Sequence, residues 1–378
     1  MSFLPQLKAC LIAGFLILSL PADASELSRR QAELKQIQQE INKQHNAVSK
    51  ISKQREKLQS LLKQDEQAIA TIARKANLTK QQLQTTKNQL EQLSSEFEQL
   101  NADQQKQQQT LSKQLSAAYL AGNHDYSKML LNQQQPATIE RMLAYYQYLN
   151  KARIKAIESL KNTQTQLEQV KAQQLSRQDE LNKLILTQRQ QQEQLADEQT
   201  QRKQTLSQLQ QTLNTQGAQL EQLQLEEGSI KHLLKQAAEA SKANPSMSGL
   251  AKQKGKLAWP VSGRVQASFG SQRSGNVSWK GVLLKAPEGR TVKAIASGKV
   301  IYADWLKGFG MVLVVDHGQG YMSLYGYAQA LLKNPGDTVA KGDNVALVGQ
   351  SGGQTEPGLY FEIRHKGQAV NPATYCRN

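Results

Sequence analysis

A heptad repeat runs through residues 27–115 and constrains the fold of this chain more than any other feature. Its apolar residues alternate at spacings of three and four, which is typical of a helix that wraps around a second helix in a left-handed coiled coil. One seam position is occupied by Leu34, Ile41, Val48, Arg55, Leu62, Ile69, Ala76, Leu83, Leu90, Phe97, Gln104 and Leu111, and the other by Ile37, Gln44, Ile51, Leu58, Asp65, Ile72, Thr79, Thr86, Leu93, Leu100 and Gln107. Such a helix extends about 130 Å at 1.5 Å per residue, so it forms a spacer or a lever rather than a compact core.

A second helical run covers residues 150–225 and supplies a partner for the first. Its apolar positions are Leu160, Leu167, Val170, Leu181, Leu184, Leu195, Leu206, Leu209, Leu213, Leu220 and Leu223. Residues 117–150, which include Gly122 and Pro136, predict a small helical segment at which the chain turns back. We therefore expect residues 25–225 to form an antiparallel coiled-coil hairpin within one molecule, with pairing between molecules as the alternative.

The first 24 residues have the pattern of a secretory signal peptide. Lys8 precedes a short apolar run at 9–20, and Ala22-Asp23-Ala24 then provides the small residues of a cleavage site. The run is too short for a membrane anchor, and no second apolar run of spanning length follows, so we expect an exported protein that is not an integral membrane protein. Export disfavours nucleic acid as a partner. Cleavage leaves Cys376 as a spare thiol or as one half of an intermolecular bridge.

Residues 226–256 separate the coil from the C-terminal third. Ile230, Leu233, Leu234 and Ala237 recur at helical spacing and predict a short amphipathic helix outside the coil. Residues 242–256 are rich in Ser, Gly, Lys and Pro, which indicates a linker. We expect this region to hold a short amphipathic helix followed by a linker, and its regulatory role is implied only by the resemblance described below.

Residues 257–378 have the texture of an all-β domain. Strands are predicted at 264–269, 299–304, 311–316, 321–325, 345–348 and 359–364, with Gly-containing turn signals between them. Residues 250–378 carry 16 Lys and Arg against 7 Asp and Glu, within a chain of net charge +16. This excess suggests an anionic partner such as an acidic protein face, lipid head groups or a cell-wall polymer.

Several segments of this domain, taken in order, resemble the LytM/M23 family of zinc-dependent peptidoglycan endopeptidases. They are Trp-Pro-Val-Ser-Gly at 259–263, Phe-Gly at 269–270, Ala-Ser-Gly-Lys-Val at 296–300, Val-Asp-His-Gly at 315–318, Leu-Tyr-Gly-Tyr at 324–327, Val-Gly-Gln-Ser-Gly-Gly at 348–353 and Phe-Glu-Ile-Arg at 361–364. The resemblance implies a LytM/M23-like fold of the duplicated hybrid motif type. The fold class is thus a multidomain α + β protein, a coiled-coil hairpin followed by this β domain.

The resemblance also places the family's zinc ligands, and here they are replaced. The family motif H-x-G-x-D aligns with residues 279–283 and puts Trp279 and Leu283 at ligand positions, while H-x-H-F-E puts Gly358 and Tyr360 there. A further family histidine corresponds to Tyr327. Catalytic zinc needs three protein ligands, which these side chains do not supply, so we expect no metal, no cofactor and no catalytic residue. His317 is expected to be a turn residue that bonds its own backbone, and His365 is unrelated to the site.

The signal peptide, coiled coil and degenerate LytM/M23 domain together resemble the murein hydrolase activator family. The resemblance implies a periplasmic, septal protein that activates zinc N-acetylmuramoyl-L-alanine amidases during cell division and that the inner-membrane FtsE–FtsX complex recruits through the coil. It also implies that the helix near Ile230 blocks the amidase-binding groove until the coil rearranges. The expected groove residues are Lys280, Leu283, Phe309, Val312, Tyr325, Tyr360 and Arg364.

Two other functions are compatible with the residues. One is an atypical LytM/M23 endopeptidase, and the other is a structural protein whose basic domain binds peptidoglycan and whose coil is a spacer. Under the activator hypothesis, Arg364→Glu should abolish activation while leaving the fold intact. Peptidoglycan is a further candidate partner.

Overall fold

Two long helices precede a β domain in the computed structural model, which confirms the expected fold class. The structure describes residues 23–121, 136–212, 226, 228–230, 232, 247–274 and 277–377. Helix α1 spans Asp23–Ala121 and helix α2 spans Pro136–Thr212. Most of the predicted signal peptide lies outside these residues. Within the described parts of the chain, no helix is both long enough and apolar enough to cross a bilayer.

The heptad seam predicted for α1 is confirmed from Leu62 onward. Residues 1–60 belong to a separate compact unit, Met1–Ser60, which contains the start of α1. Beyond it, every predicted seam position up to Leu111 is buried or half-buried. The polar seam residue Asp65 accepts a hydrogen bond from Thr205 Oγ1 at 2.7 Å, and Gln107 Nε2 donates to Ser159 Oγ at 3.1 Å. These pairs show that α1 and α2 run antiparallel within the chain, with polar seam residues fixing the register.

The predicted central segment at 117–150 divides between the two helices. Residues 117–121 continue α1, and residues 136–150 form the first turns of α2. Pro136 opens α2, where its missing N–H costs nothing because the first turn leaves its amides unpaired. Residues 122–135 are outside the described residues.

The β domain is built on a ten-stranded sheet with two small two-stranded sheets beside it. The strands are β1 (Leu257–Ala258), β2 (Arg264–Ala267), β3 (Gln272–Ser274), β4 (Val277–Ser278), β5 (Val282–Lys285), β6 (Thr291–Lys293), β7 (Gly298–Leu306), β8 (Gly310–Gly318), β9 (Tyr321–Leu331), β10 (Thr338–Val339), β11 (Asn344–Val348), β12 (Gly358–His365), β13 (Gln368–Val370) and β14 (Cys376–Arg377). The main path runs β10-β7-β8-β9-β12-β5-β2, and β11 joins it by pairing with β9 and β6. The six predicted strands correspond to β2, β7, β8, β9, β11 and β12.

Alternate side chains of the central strands enter two different hydrophobic clusters. On β8, Leu313 and Val315 join the main core, while Val312 and Val314 point to the opposite face. The main core also takes Leu359, Phe361 and Ile363 from β12, Val282 and Leu284 from β5, and Val345, Ala346 and Val348 from β11. The period-two alternation of strands therefore gives the sheet a second apolar face, which carries the candidate site.

The domain begins earlier than the sequence predicts. Leu250, in the expected linker, is 1% exposed and belongs to the main core. Gly249 N donates to His317 O at 3.0 Å, and Gly255 N donates to Thr374 O at 3.0 Å. Residues 247–256 are thus fixed to the domain by backbone hydrogen bonds, and the expectation of a linker over this stretch is wrong.

Cys376 lies inside the domain rather than at a free end. It sits on β14 beside Leu257 of β1, is 4% exposed, and is a free thiol. Burial raises the pKa of its thiol to about 12. A buried, protonated thiol is a poor nucleophile, so the alternative of an intermolecular bridge is not supported.

Candidate partner-binding groove

The positions that correspond to zinc ligands in the resembling family come together on the second face of the sheet. Strands β5 and β12 are antiparallel neighbours, with Tyr360 paired to Leu283. A Cβ built on Gly358 would lie 3.3 Å from Leu283 Cδ1, and the rings of Trp279 and Tyr360 are 5.9 Å apart. Four positions predicted from two separate motifs therefore converge on one place.

Aromatic rings fill this place. The ring centroid of Tyr360 lies 5.6 Å from that of Tyr327 and 5.3 Å from that of Phe309. The rings of Phe309 and Tyr327 are stacked, with their centroids 6.3 Å apart. We call the whole set the groove cluster: Phe309, Val312, Val314, Met322, Leu324, Tyr327 and Tyr360, with Trp279, Leu283, Ile301, Tyr302 and Leu306 at its border.

The groove cluster does not fit a zinc ion. Burial raises the pKa of Tyr327 to about 12, and it raises the pKa of Tyr360 well above its usual value, with Glu362 adding to the shift. Both phenols are neutral near pH 7, and Trp, Leu and Gly offer no side-chain lone pair to zinc. Among the residues that the structure describes, no group of three His, Cys, Asp or Glu side chains could hold a metal ion.

The backbone of Tyr327 explains how its ring reaches the groove cluster. Its φ is 61°, which is uncommon for a residue other than glycine. The β8–β9 pairing also shifts register between Met311 and Leu313 at this point. Strict alternation would put Tyr327 on the same face as Tyr325, and the irregularity turns it to the other face.

Tyr325 does not lie in the groove cluster. It is fully buried in the main core, 5.4 Å from Phe361, and its hydroxyl accepts hydrogen bonds from Ser323 Oγ and Ile295 N. The expectation that Tyr325 lines the groove is therefore a misassignment of face. Phe309, Val312 and Tyr360 do lie together, and Leu283 borders them.

Ile230 from the segment after the coil is inserted into the groove cluster. It is 6% exposed and packs among residues that include Phe309, Val312 and Tyr360. Residues 226, 228–230 and 232 have helical backbone. Leu233, Leu234 and Ala237, the other residues predicted for this helix, lie outside the described residues.

The two basic residues expected at the groove edge differ in their surroundings. Lys280 is exposed, whereas the Arg364 side chain is 11% exposed and pairs with Glu362 at 2.8 Å. Arg364 Nη1 also donates to Gly367 O at 2.8 Å. Burial raises the pKa of Glu362, and Arg364 opposes that shift. Arg364→Glu would place two carboxylates side by side in the domain, so we now expect this variant to destabilise the fold as well as the groove.

A second ion pair at the groove was missed by the sequence. Arg273 Nη2 lies 2.9 Å from Glu226 Oε2, and the Arg273 guanidinium lies 4.7 Å from the centre of the Trp279 ring. Burial alone would lower the pKa of Arg273, but Tyr327, Glu226 and Tyr360 outweigh it and the pKa is raised. Arg273 and Glu226 are 47 residues apart in the sequence and belong to no common motif, so no sequence pattern predicted this ion pair.

A buried carboxylate joins the coil to the β domain at another site, which sequence reasoning also missed. Glu66 of α1 accepts hydrogen bonds from Arg202 Nε of α2 at 3.1 Å and from Trp305 Nε1 at 2.7 Å. It also accepts from Gly352 N at 2.9 Å and Gly353 N at 3.4 Å. Arg202 in turn donates to the backbone oxygens of Gln350 and Gln354. We call Glu66, Arg202, Trp305, Gly352 and Gly353 the Glu66 cluster.

A small apolar contact supports the Glu66 cluster. Ala70 and Ala73 of α1 are buried against Ala330 and Leu347 of the domain. Glu66, Ala70 and Ala73 share one face of α1 that is separate from the heptad seam. Two alanines near a glutamate on that face were the only sequence signal for a contact between α1 and the β domain that we can identify.

Neither histidine of the domain belongs to the groove. His317 is in strand β8 rather than in a turn, and its Nδ1 and Nε2 lie 2.9 Å from Ser297 O and 2.8 Å from Ser323 Oγ. Burial lowers the pKa of His317, so the ring is neutral at pH 7. The turn assignment is corrected by this placement. His365 stacks on Tyr321 with ring centres 4.1 Å apart.

The fold and the replaced ligand positions define an M23 peptidase-like domain without the zinc-ligand set. The model of peptidase family M23 matches residues 277–372. The crystal structure of an M23 peptidase from Pseudomonas aeruginosa is 27% identical and aligns with a TM-score of 0.32, covering 39% of this chain and 60% of that one.

Similarity over nearly the whole length identifies the family. The murein hydrolase activator EnvC of Escherichia coli (strain K12) is 36% identical over 401 residues, which cover 96% of this chain and 94% of that protein. The murein hydrolase activator NlpD of the same organism is 35% identical over 118 residues, which cover 31% of this chain and 30% of NlpD. This chain belongs to the EnvC family of murein hydrolase activators.

Proposed function

We propose that this chain is a non-enzymatic activator of periplasmic zinc N-acetylmuramoyl-L-alanine amidases, which split septal peptidoglycan when daughter cells separate. Membership of the EnvC family supports the activator role. The observation that carries the proposal is that the former ligand positions form an apolar groove already filled by Ile230. A groove that holds one helical segment through non-directional apolar contacts can also hold another.

The absence of peptidase activity is proposed from the chemistry of the groove cluster. Hydrolysis of an amide by zinc needs an ion held by three ligands and an open position for water. Trp279, Leu283, Gly358 and Tyr360 stand at the corresponding positions and supply no such set of ligands, and aromatic rings pack around Tyr360. The domain therefore binds a segment of another enzyme instead of cutting peptidoglycan itself.

Regulation follows from competition between two helical segments for one groove. The segment that carries Ile230 occupies the groove in the resting chain, and the amidase supplies the competing segment. Even a modest affinity of the internal segment for the groove is enough for control. The apparent affinity for the amidase is reduced in proportion to the fraction of molecules whose groove is open, so withdrawal of the segment restores it. Helical residues around Ile230 support this account, and the roles of Leu233, Leu234 and Ala237 are part of the proposal.

The tip of the coil supports recruitment by the inner-membrane complex FtsE–FtsX. Tyr119 and Leu120 at the end of α1 are 86% and 84% exposed, and Tyr148 near the start of α2 is 75% exposed. Exposed apolar side chains gathered at one end of a helix pair are typical of a protein-binding surface. Export by the predicted signal peptide would place the chain in the periplasm, where its basic domain can also contact peptidoglycan, and recruitment by FtsE–FtsX would place it at the septal ring.

The Glu66 cluster supplies a route by which the coil could control the domain. Both helices contribute to it, Glu66 from α1 and Arg202 from α2, and both reach the 350–354 turn. Gly310 at the groove edge lies against Ser351 and Gly352 of the same turn, so the turn links the coil to the groove wall. A change in the coil that breaks the Glu66 cluster would therefore loosen the groove.

Reconstitution with purified periplasmic amidases tests the proposal. The full chain with Ile230→Asp should stimulate dye release from labelled peptidoglycan by an amidase, whereas the unchanged chain should not. Adding Leu283→Arg to Ile230→Asp should remove the stimulation, because a charged side chain cannot enter the groove cluster. Val265→Arg is the matched control, since Val265 is 44% exposed on the neighbouring strand β2.

Two other outcomes would replace the proposal by one of its alternatives. Stoichiometric zinc in the purified chain, with cleavage of peptidoglycan in the absence of any amidase, would identify an endopeptidase. Sedimentation with insoluble peptidoglycan, without stimulation of any amidase by the Ile230→Asp chain, would favour a structural wall-binding protein.

A further inference from the structure

Two side chains of the bound segment enter the groove from positions one helical turn apart. Glu226 contacts Arg273, and Ile230, four residues later, fills the apolar part of the groove cluster. Residues at i and i+4 lie on the same face of a helix, so a single face presents the acid and the aliphatic side chain together. The groove therefore binds a carboxylate and an aliphatic side chain that are held four residues apart on one helix.

The end of the groove is built to receive a carboxylate. The Arg273 side chain is 19% exposed and the Glu226 side chain is 8% exposed, so the ion pair is largely removed from water. Gly308, with φ of 80°, lies against the Glu226 side chain, and a Cβ at this position would collide with it. The missing side chain at Gly308 leaves the space into which the acid fits.

Arg273 is held in place independently of Glu226. Its guanidinium lies 4.7 Å from the Trp279 ring, a separation typical of a cation–π contact. Trp279 in turn contacts Tyr360 of the groove cluster, 5.9 Å away. The Trp279 contact thus keeps the cation beside the groove when the segment leaves, and an incoming helix that covers Arg273 again has to supply an anion.

We propose that Arg273 and the Ile230 pocket recognise an acidic side chain followed four residues later by a branched aliphatic one, and that the activated amidase presents this pair on the helix that replaces residues 226–230. The inference rests on the proposed function and adds the chemistry of the partner segment. Arg273 is then the residue that determines which amidase helices are accepted. A helix without the acid leaves the Arg273 charge desolvated and unpaired, which disfavours it by roughly 30-fold or more.

A peptide probe tests the recognition of the acid directly. The receptor is the full chain with Ile230→Asp, which weakens occupation of the groove by its own segment, and the probe is a fluorescein-labelled synthetic peptide with the sequence of residues 223–239. The peptide should bind, and its Glu226→Gln and Ile230→Ala forms should bind roughly 30-fold more weakly. Equal affinity of the Glu226→Gln peptide would overturn the inference, as would failure of the unchanged peptide to bind.

Charge reversal gives a second, independent readout. A receptor with Ile230→Asp and Arg273→Glu should lose the unchanged peptide and gain the Glu226→Arg peptide. The matched control is Lys341→Glu in the Ile230→Asp receptor, the same change of charge at an exposed turn, which should leave both affinities unaltered. A receptor that binds both peptides equally would contradict the role of Arg273, and near-ultraviolet circular dichroism checks that the groove aromatics remain ordered.

The amidase assay separates this inference from the proposed function. The Ile230→Asp chain should stimulate an amidase, the Ile230→Asp, Arg273→Glu chain should not, and an amidase whose regulatory-helix acid is changed to Arg should respond to the second chain. Full stimulation by the Arg273→Glu form would overturn the recognition of the acid while leaving the activator role intact. No stimulation by the Ile230→Asp chain would count against the activator role itself.

Discussion

The segment around Ile230 and the helix pair hold the same β domain by opposite chemistry. In the groove cluster, one aliphatic side chain is surrounded by aromatic and aliphatic groups, and the Arg273–Glu226 ion pair lies at its end. In the Glu66 cluster, one buried carboxylate is surrounded by a guanidinium, an indole N–H and two backbone amides. Apolar contacts depend on shape and area, whereas the buried carboxylate depends on every donor being present.

This difference separates two roles within one molecule. An apolar groove tolerates exchange of its occupant, because another helix with similar side chains recovers most of the same burial. A buried charge has no such substitute, since removal of one partner leaves the other desolvated. The groove is therefore suited to a changing occupant, and the Glu66 cluster to a contact that is either complete or broken.

The largest effect is expected from Glu66→Ala. Arg202 would remain buried without its carboxylate, and Trp305 and Gly352 would lose their acceptor, at a cost of about 3–5 kcal/mol to the contact. Hydrogen exchange should show loss of protection across residues 350–354. Glu91→Ala, an exposed glutamate on the same helix, serves as the control and should change nothing. Unchanged protection in Glu66→Ala would remove the distinction between the two regions.

A smaller and local effect is expected from Ile230→Ala. Removal of the buried side chain should weaken the segment in the groove by about 2–4 kcal/mol. Exchange should rise over residues 226–232 while residues 350–354 keep their protection. His232→Ala tests an exposed position on the same segment and should have no effect. Loss of protection at both places would show that the groove and the Glu66 cluster open together.

Trp305→Phe should have a still smaller effect, confined to the Glu66 cluster. Phe is a smaller aromatic side chain without an N–H, so the hydrogen bond from Nε1 to Glu66 Oε2 at 2.7 Å is lost, for about 1.5 kcal/mol. Tyr302→Phe is the comparison, because it removes the neutral hydrogen bond to Trp305 O at 3.2 Å and should cost less. Thermal unfolding of the two variants should rank them in this order. The reverse order would argue against a special role for the buried carboxylate.

The smallest effect near neutral pH is expected from titration of the groove. The pKa of Tyr327 is raised to about 12 by burial, above an ordinary value of about 10. A raised folded-state pKa gives stability that is complete below the unfolded value and lost as pH rises through the folded one, here between about pH 10 and 12. The free energy of unfolding measured with denaturant should therefore be flat from pH 7 to 8, and it should begin to fall above about pH 8.5, where the Cys376 thiol, whose folded-state pKa is also raised to about 12, titrates in the unfolded chain. Tyr327→Phe should lose less stability than the unchanged chain above pH 10, and equal losses would exclude Tyr327 as the source.

Regular patterns in the sequence predicted most of the fold. The heptad seam from Leu62 to Leu111 and the six main strands follow from periodicity alone, because each repeats one simple relation to a buried face. The former ligand positions were also placed together correctly, since two motifs on neighbouring strands carry them. The prediction that Tyr325 lines the groove was wrong for a local reason. Strict alternation along β9 would put Tyr325 and Tyr327 on one face of the sheet, and the irregular backbone at Tyr327 turns its ring to the other face.

Contacts between distant segments could not be read from the sequence. Glu66 and Arg202 look like ordinary surface residues of a coil, and only the position of the domain buries them. Leu250 lies within residues 242–256, which have the composition of a linker. Its side chain is nevertheless buried in the main core, and this burial anchors the chain around it to the β domain. The Arg273–Glu226 pair likewise depends on where the segment before Ile230 enters the groove. These features arise from tertiary packing, which composition and spacing do not record.

The antiparallel arrangement of α1 and α2 makes the attachment of the domain sensitive to sliding. Glu66 and Arg202 belong to helices that run in opposite directions, and Arg202 Nε donates a hydrogen bond of 3.1 Å to Glu66 Oε1. A slip of one helix past the other by a single residue is about 1.5 Å, which lengthens this contact and misaligns its donor and acceptor, and a slip of one helical turn, about 5.4 Å, separates them completely. An axial shear of this kind between the two helices would therefore release the β domain from the Glu66 cluster.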